Sequence, residues 1–282
     1  MSVVHVESLL RRYGDFTAVQ QLDLAVEAGE CVAILGPNGA GKTTTVEILE
    51  GYRRRDGGLV SVLGVDPARA TREWRQRIGI VTQSAADLGD ASVREALVHF
   101  SHFYVHRRSI NETIDLVGLS EKADARVSTL SGGQRRRLDV ALGVVGRPEL
   151  LFLDEPTTGF DPEARHQFWS LIERLKSEGV TIVLTTHYLE EADALADRVV
   201  VIARGLKVAD TTPGELGARS GDSVRVRWRE SGELREELTH EPTAFVASLS
   251  ARFAGEVPGL EVTRTTLEEA YLGLIALDEA SS

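Results

Sequence analysis

Residues 30–44 read E-C-V-A-I-L-G-P-N-G-A-G-K-T-T. Cys31 to Leu35 is an unbroken apolar run of strand length, the pattern of a strand buried on both faces. The segment K-T-T-T-V-E-I-L-E that begins at Lys42 has helical spacing. Between them the chain fits G-x-x-x-x-G-K-[ST], in the strand-to-helix setting that a phosphate-binding loop requires. Gly36, Gly39 and Gly41 let the backbone wrap closely, so that N–H groups of the loop (Pro37, Asn38 and Ala40 complete it) face phosphate oxygens. Lys42 supplies a cation for the β- and γ-phosphates, and the Thr43 hydroxyl suits Mg²⁺. Thr44 continues a helix start whose dipole favours anions.

Further on, L-L-F-L-D-E-P (150–156) delivers two acids at the end of another buried strand. Asp154 is where a Mg²⁺-holding carboxylate belongs, and Glu155 can take a proton from an attacking water or orient it. The run V-T-I-V-L-T-T-H (180–187) repeats the arrangement and brings His187 to the carboxyl end of the sheet, the ligand edge of such folds. A second glycine-rich stretch, T-L-S-G-G-Q-R-R-R (129–137), precedes an apolar helix pattern. Ser131, Gly132 and Gly133 read as an exposed helix start and hence as a second anion site.

Apolar strands at 3–10, 21–26, 58–64, 77–83, 150–154, 180–186 and 198–203 alternate with helical stretches, notably across 92–148 and after D-P-E-A at 161–164. That alternation indicates an α/β fold with a largely parallel sheet covered on both faces. The character changes near residue 217, and 218–282 reads as a small α+β appendage. It contains a strand in S-V-R-V-R-W, a helix in E-P-T-A-F-V-A-S-L-S-A-R-F and an amphipathic helix in T-L-E-E-A-Y-L-G-L-I.

The 282 residues carry a net charge of −11, which disfavours nucleic acid and anionic lipid as direct partners. The single cysteine, Cys31, suits a reducing compartment and a core position. With neither a signal peptide nor an apolar run of membrane-spanning length, the sequence reads as a cytoplasmic chain that reaches a membrane only through a partner. His99, His102 and His106 share one helix face without a nearby carboxylate or cysteine, so a metal role is not favoured. The chain lacks the N-K-x-D that a GTPase uses for guanine.

The ordered set of phosphate loop, Gln83, L-S-G-G-Q (130–134), L-L-F-L-D-E, G-F-D (159–161) and His187 resembles the ATP-binding subunits of ATP-binding cassette (ABC) transporters. The resemblance covers residues 1 to about 217. It implies a P-loop NTPase core with an antiparallel β subdomain and a helical subdomain at about 84–148, and ATP hydrolysis with Mg²⁺. It further implies a head-to-tail dimer in which Ser131, Gly132, Gly133 and Gln134 serve the ATP held by the other copy. Other roles follow only from the resemblance. Tyr13 stacks on adenine, Gln83 touches Mg²⁺ and water and opens the segment that contacts a membrane permease, and His187 contacts the γ-phosphate. Asp161 lies at the dimer interface, and Phe160 stands where leucine is usual. On this reading Arg135 to Arg137 pair with acids of the opposing copy or stand in solvent. Within transporters, T-T-G-F-D-P-E-A-R, T-T-H-Y-L-E-E-A-D and T-L-E-E-A-Y-L-G-L resemble the daunorubicin-resistance branch of drug exporters, with an importer subunit or a non-transport ATPase as the alternatives. The chain would then lie on the cytoplasmic membrane face, bound to its permease.

Overall fold

Alternating apolar residues build a hairpin of β1 (Ser2–Tyr13) and β2 (Phe16–Glu27), turned at Gly14 with φ 57°. The computed structural model describes residues 2–82, 88–219, 224–230, 232–264 and 271. The chain divides into two units, Met1–Asp210 and Thr211–Ser282. After the hairpin, the first unit continues through β3 (Cys31–Leu35), α1 (Lys42–Leu49), β4 (Gly57–Val62), α2 (Arg72–Arg75) and β5 (Ile78–Val81). Three helices follow, α3 (Val93–Ser101), α4 (Ile110–Leu116) and α5 (Gly132–Val144). Then come β6 (Leu150–Asp154), α6 (Pro162–Ser177), β7 (Thr181–Thr186), α7 (Leu189–Leu195), β8 (Arg198–Ala203) and β9 (Leu206–Thr211).

Two sheets result. β2, β1 and β4 form an antiparallel sheet in that order, with Val4, Val6, Leu9, Leu24, Val60 and Val62 turned inward. The larger sheet has the order β5-β6-β7-β3-β8-β9, and its pairs from β5 to β8 are parallel. Every residue of β3 and β7 is buried, as their continuous apolar reading requires. One core joins both sheets: Val4, Leu22 and Val60 cluster with Ile34, Phe152 and Val200. Trp74 closes its edge, its indole N–H donating to the Val62 carbonyl at 2.8 Å. Burying each such large side chain contributes about 1.5–3 kcal/mol.

The second unit contains α8 (Pro213–Arg219), β10 (Val224–Glu230), β11 (Glu233–Thr239), α9 (Pro242–Arg252) and β12 (Glu261–Arg264). Its antiparallel sheet, β11-β10-β12, packs Val226 and Trp228 against Leu249 and Val257. The Glu-rich β11 gives no strand signal in sequence. Pairing along β10, from Val224↔Thr239 to Glu230↔Glu233, overrides its weak propensity. The expected helix T-L-E-E-A-Y-L-G-L-I lies outside the described residues except for Tyr271. Among the described residues, no helix is long and apolar enough to cross a membrane.

Candidate nucleotide site

Three neighbouring strands end at one edge of the large sheet. β6, β7 and β3 are adjacent, with Asp154 opposite Thr185 and Leu35 opposite Thr186. Gly36, Glu155 and His187 therefore leave the sheet side by side, and the three motifs converge although more than a hundred residues of chain separate the first from the others.

The glycine loop is sterically committed. A Cβ on Gly36 would come 2.2 Å from the Ile202 carbonyl oxygen, and one on Gly41 would come 2.3 Å from that of Ala18. Gly39 and Gly41 also hold φ of 81° and 104°, a region that side-chain-bearing residues avoid. Gly41 is the N-cap of α1 and has no side chain to cap it, so the first N–H groups of the helix are left for an anion. The Lys42 ammonium is buried and donates to the carbonyls of Gly36 at 2.8 Å and Pro37 at 3.2 Å. Burial pushes its pKa down, while the nearby charges of Glu155 and Asp154 oppose that shift. Thr43 is exposed and Thr44 half-buried at the start of α1; Asn38 is exposed and Ala40 buried. A closed glycine cradle, a buried ammonium and two carboxylates fit a nucleotide triphosphate and a divalent cation.

Thr185 fixes both acids. Its hydroxyl donates to Asp154 Oδ1 at 2.5 Å and accepts the Glu155 N–H at 3.1 Å. Glu155 has φ 44°, a left-handed conformation that costs a non-glycine residue about 1 kcal/mol or more. The bonds to Thr185 help to hold it there. His187 Nδ1 lies 3.4 Å from Glu155 Oε1. In sequence, the only sign of the Thr185 clamp is a hydroxyl inside an otherwise apolar strand.

The second anion site is built by α5. Ser131 Oγ accepts the Gln134 N–H at 3.3 Å, and the Gln134 side chain accepts the Ser131 N–H at 3.1 Å. This capping box leaves Gly132 and Gly133 at the two first helical positions, where backbone donors have no intrahelical acceptor. A cavity of about 300 Å³ opens there, lined by Ser131 to Gln134, by Gly159 to Asp161 and by the start of α6, and no phosphate-loop residue borders it. Asp161 caps α6 through a bond from the Ala164 N–H at 2.8 Å. Phe160 packs edge-on against Phe168, with ring centroids 5.9 Å apart.

The expectation for the arginines needs correction at Arg136. It is buried and donates to the carbonyls of Thr82, Pro156 and Asp154. Three convergent carbonyls replace the water it loses and tie α5 to the segment that carries the acids. Arg135 pairs with Asp139 at 3.6 Å, and Arg137 donates to the Val117 and Gly118 carbonyls. Tyr13 stands half-exposed at the end of β1, with the guanidinium carbons of Arg11 and Arg53 4.6 and 5.4 Å from its ring centroid. Gln83 lies outside the described residues.

Residues 19–158 match the ABC transporter family. The Nod factor export ATP-binding protein I of Burkholderia orbicola is 40% identical over 85% of this chain and 82% of its own length. The daunorubicin/doxorubicin resistance ATP-binding protein DrrA of Streptomyces peucetius is 39% identical over 98% of this chain and 90% of its own. Among solved structures, cbiO1 of Clostridium perfringens, part of the ABC transporter complex cbiONQ, superposes with a TM-score of 0.70. It is 27% identical and covers 78% of this chain and 92% of its own.

Proposed function

The chain belongs to the ABC transporter family as an ATP-hydrolysing ATP-binding subunit, and we propose that two copies of it power a separate membrane permease that exports drugs or other amphipathic compounds. The single observation that carries the two-copy reading is the division of anion sites. The phosphate loop and the acids leave one sheet edge, whereas the cavities at the Ser131 helix start, one of which reaches Glu155, are bordered by no phosphate-loop residue. Each chain then holds two half-sites, and ATP joins the phosphate loop of one copy to Ser131, Gly133 and Gln134 of the other.

Within a site, Lys42 exchanges the carbonyls of Gly36 and Pro37 for phosphate oxygens, and the N–H groups of the loop and of α1 take the rest of the charge. Thr43 and Asp154, with Gln83, hold Mg²⁺, which supplies charge neutralisation at the phosphates. Glu155 orients the water or takes its proton, and His187 bears on the γ-phosphate beside it. Tyr13 stacks on the adenine ring, a place for which Arg11 and Arg53 now compete. Asp161 lies at the interface between copies, and the Gln83 segment passes the movement to the permease on the cytoplasmic membrane face. Export is supported by the names of the two relatives above, one an export protein and the other a drug-resistance protein.

Light scattering of the Glu155→Gln protein tests the two-copy reading. A mass that doubles on adding MgATP, and fails to double when Ser131→Arg is also present, agrees with it. A mass that stays at one chain in both cases contradicts it.

A further inference from the structure

Arg165 lies on the first turn of α6, its N–H bonded to the carbonyl of the capping Asp161 at 3.0 Å. Its guanidinium carbon sits 5.0 Å from the centroid of the Tyr188 ring. The Tyr188 ring in turn packs on His187, with centroids 4.1 Å apart and planes tilted by 38°. His187 reaches Glu155 at 3.4 Å. A continuous set of contacts thus runs from the segment that lines the second anion site to the two residues beside the scissile phosphate. Arg165 and Tyr188 fall inside the stretches T-T-G-F-D-P-E-A-R and T-T-H-Y-L-E-E-A-D, but only the fold brings the two side chains together.

We propose that Arg165 is a positioning residue for ATP hydrolysis, acting through the ring of Tyr188 to hold His187 in its orientation toward Glu155. This rests on the assignment of Glu155 and His187 to the reaction made above. The physical basis is geometric. A histidine ring at the end of a strand is free to turn about two side-chain bonds, and a stacked neighbour removes that freedom only if it is itself held. Tyr188 is the stacked neighbour, and the planar guanidinium, fixed by its ion pair with Glu190 at 3.2 Å, covers the tyrosine ring. Because Arg165 follows the Gly159–Asp161 segment by one helical turn, movement of that segment on association of two copies is carried to the histidine. The site then loses its alignment when the copies part.

Arg165 also carries its charge near the buried Glu191, whose pKa burial pushes up while the charge of Arg165 opposes that shift. A purely structural role as that partner predicts loss of stability alone, so the test is built on Tyr188. The ATPase activity of the full-length chain is measured against ATP concentration for Arg165→Ala, Tyr188→Leu, Tyr188→Phe and the Arg165→Ala/Tyr188→Leu double variant. The expected result is a fall in kcat of about fivefold for Arg165→Ala and for Tyr188→Leu, with KM for ATP changed by less than about twofold. The double variant should lie no lower than the worse single one, and Tyr188→Phe, which keeps the ring, should match the wild type. The relay is overturned if Tyr188→Leu keeps the wild-type kcat, if Tyr188→Phe falls as far as Tyr188→Leu, or if the double variant loses the product of the two effects, about 25-fold. Glu155→Gln in the same assay separates the two readings. Hydrolysis at the wild-type rate there removes the assignment of Glu155 and the relay with it, whereas a stalled Glu155→Gln beside an unaffected Tyr188→Leu removes the relay alone.

Discussion

The Thr185 hydroxyl donates to the Asp154 carboxylate across 2.5 Å, joining the ends of two adjacent parallel strands. The same oxygen accepts the N–H of Glu155, so one side chain sets the position of both acids. Its pairing opposite Asp154 in the ladder makes the arrangement a consequence of register, since a slip of one residue would turn the hydroxyl to the other face of the sheet.

Thr185→Val keeps the shape of the side chain and removes the hydroxyl. The Glu155 N–H would lose one of its bonds while keeping that to the Thr185 carbonyl, also at 3.1 Å, and Asp154 would lose the Thr185 donor. Partners of this kind are worth about 10- to 100-fold in activity when lost. We expect kcat to fall within that range with ATP affinity largely kept, and Thr185→Ser to restore most of the rate. Single-turnover hydrolysis with a parallel nucleotide-binding titration checks this. Equal loss in the serine and valine variants would show that the hydroxyl is not the cause.

Arg136→Lys retains a cation but cannot serve the three carbonyls of Thr82, Pro156 and Asp154 in one plane. Leaving buried acceptors unmet costs about 1–3 kcal/mol each, reduced where the lysine reaches one of them. Urea unfolding should therefore give a stability lower by about 2–4 kcal/mol, with hydrolysis impaired because the same segment carries Glu155. An unchanged midpoint would mean that water replaces the guanidinium at no cost.

Glu50 makes the stability of the chain depend on pH. Burial, and then the charges of Asp154 and Glu47, raise its pKa from the ordinary 4.5 to about 8. Between those values the folded chain holds a proton that the unfolded chain releases. The stability tied to that proton is fully present below 4.5 and is lost as pH rises through 8. Glu50→Gln, which cannot ionise, should escape the loss. Thermal melts should show the variant gaining on the wild type by several degrees between about pH 5 and pH 9, a gain that reverses as pH is lowered. Parallel melting curves for the two proteins across that range would contradict the raised pKa.

The phosphate loop, the acids and the helix start at Ser131 are legible in the sequence because each is local: a strand, a turn and a helix cap specified within about ten residues. The partners that hold them are not. Arg136 reads as a surface cation in R-R-R, and only the fold reveals that Thr82, Asp154 and Pro156 turn their carbonyls toward one point. The short α7 has no clear sequence signal because seven residues carry little periodicity, and β11 has none because its glutamates read as polar or helical until β10 pairs with them. The match between Asp154 and Thr185 depends on which strands lie side by side, and the β6-β7-β3 order is a property of topology that no single segment contains.

Two glycines of the two anion sites should respond differently to alanine. At Gly41 a Cβ would sit 2.3 Å from a backbone oxygen at φ 104°, so neither a rotamer change nor a small shift relieves it. Gly41→Ala should destabilise the chain by about 2–4 kcal/mol and abolish nucleotide binding. At Gly132, beyond its own helix backbone and chain neighbours, nothing among the described residues lies within 4 Å of the added carbon. Gly132→Ala should therefore unfold within about 0.5 kcal/mol of the wild type, since the methyl crowds no other part of the described residues. Its methyl would instead occupy the open helix start that faces the cavity beside Asp161. On the two-copy reading that space receives the phosphates bound by the other chain, so association driven by MgATP should weaken while binding of ATP by the single chain stays intact. Urea unfolding, a nucleotide titration and light scattering on the one variant measure the three quantities. Intact folding and binding with lost association locates the function of Gly132 at the interface, and intact association would place the partner's phosphates elsewhere.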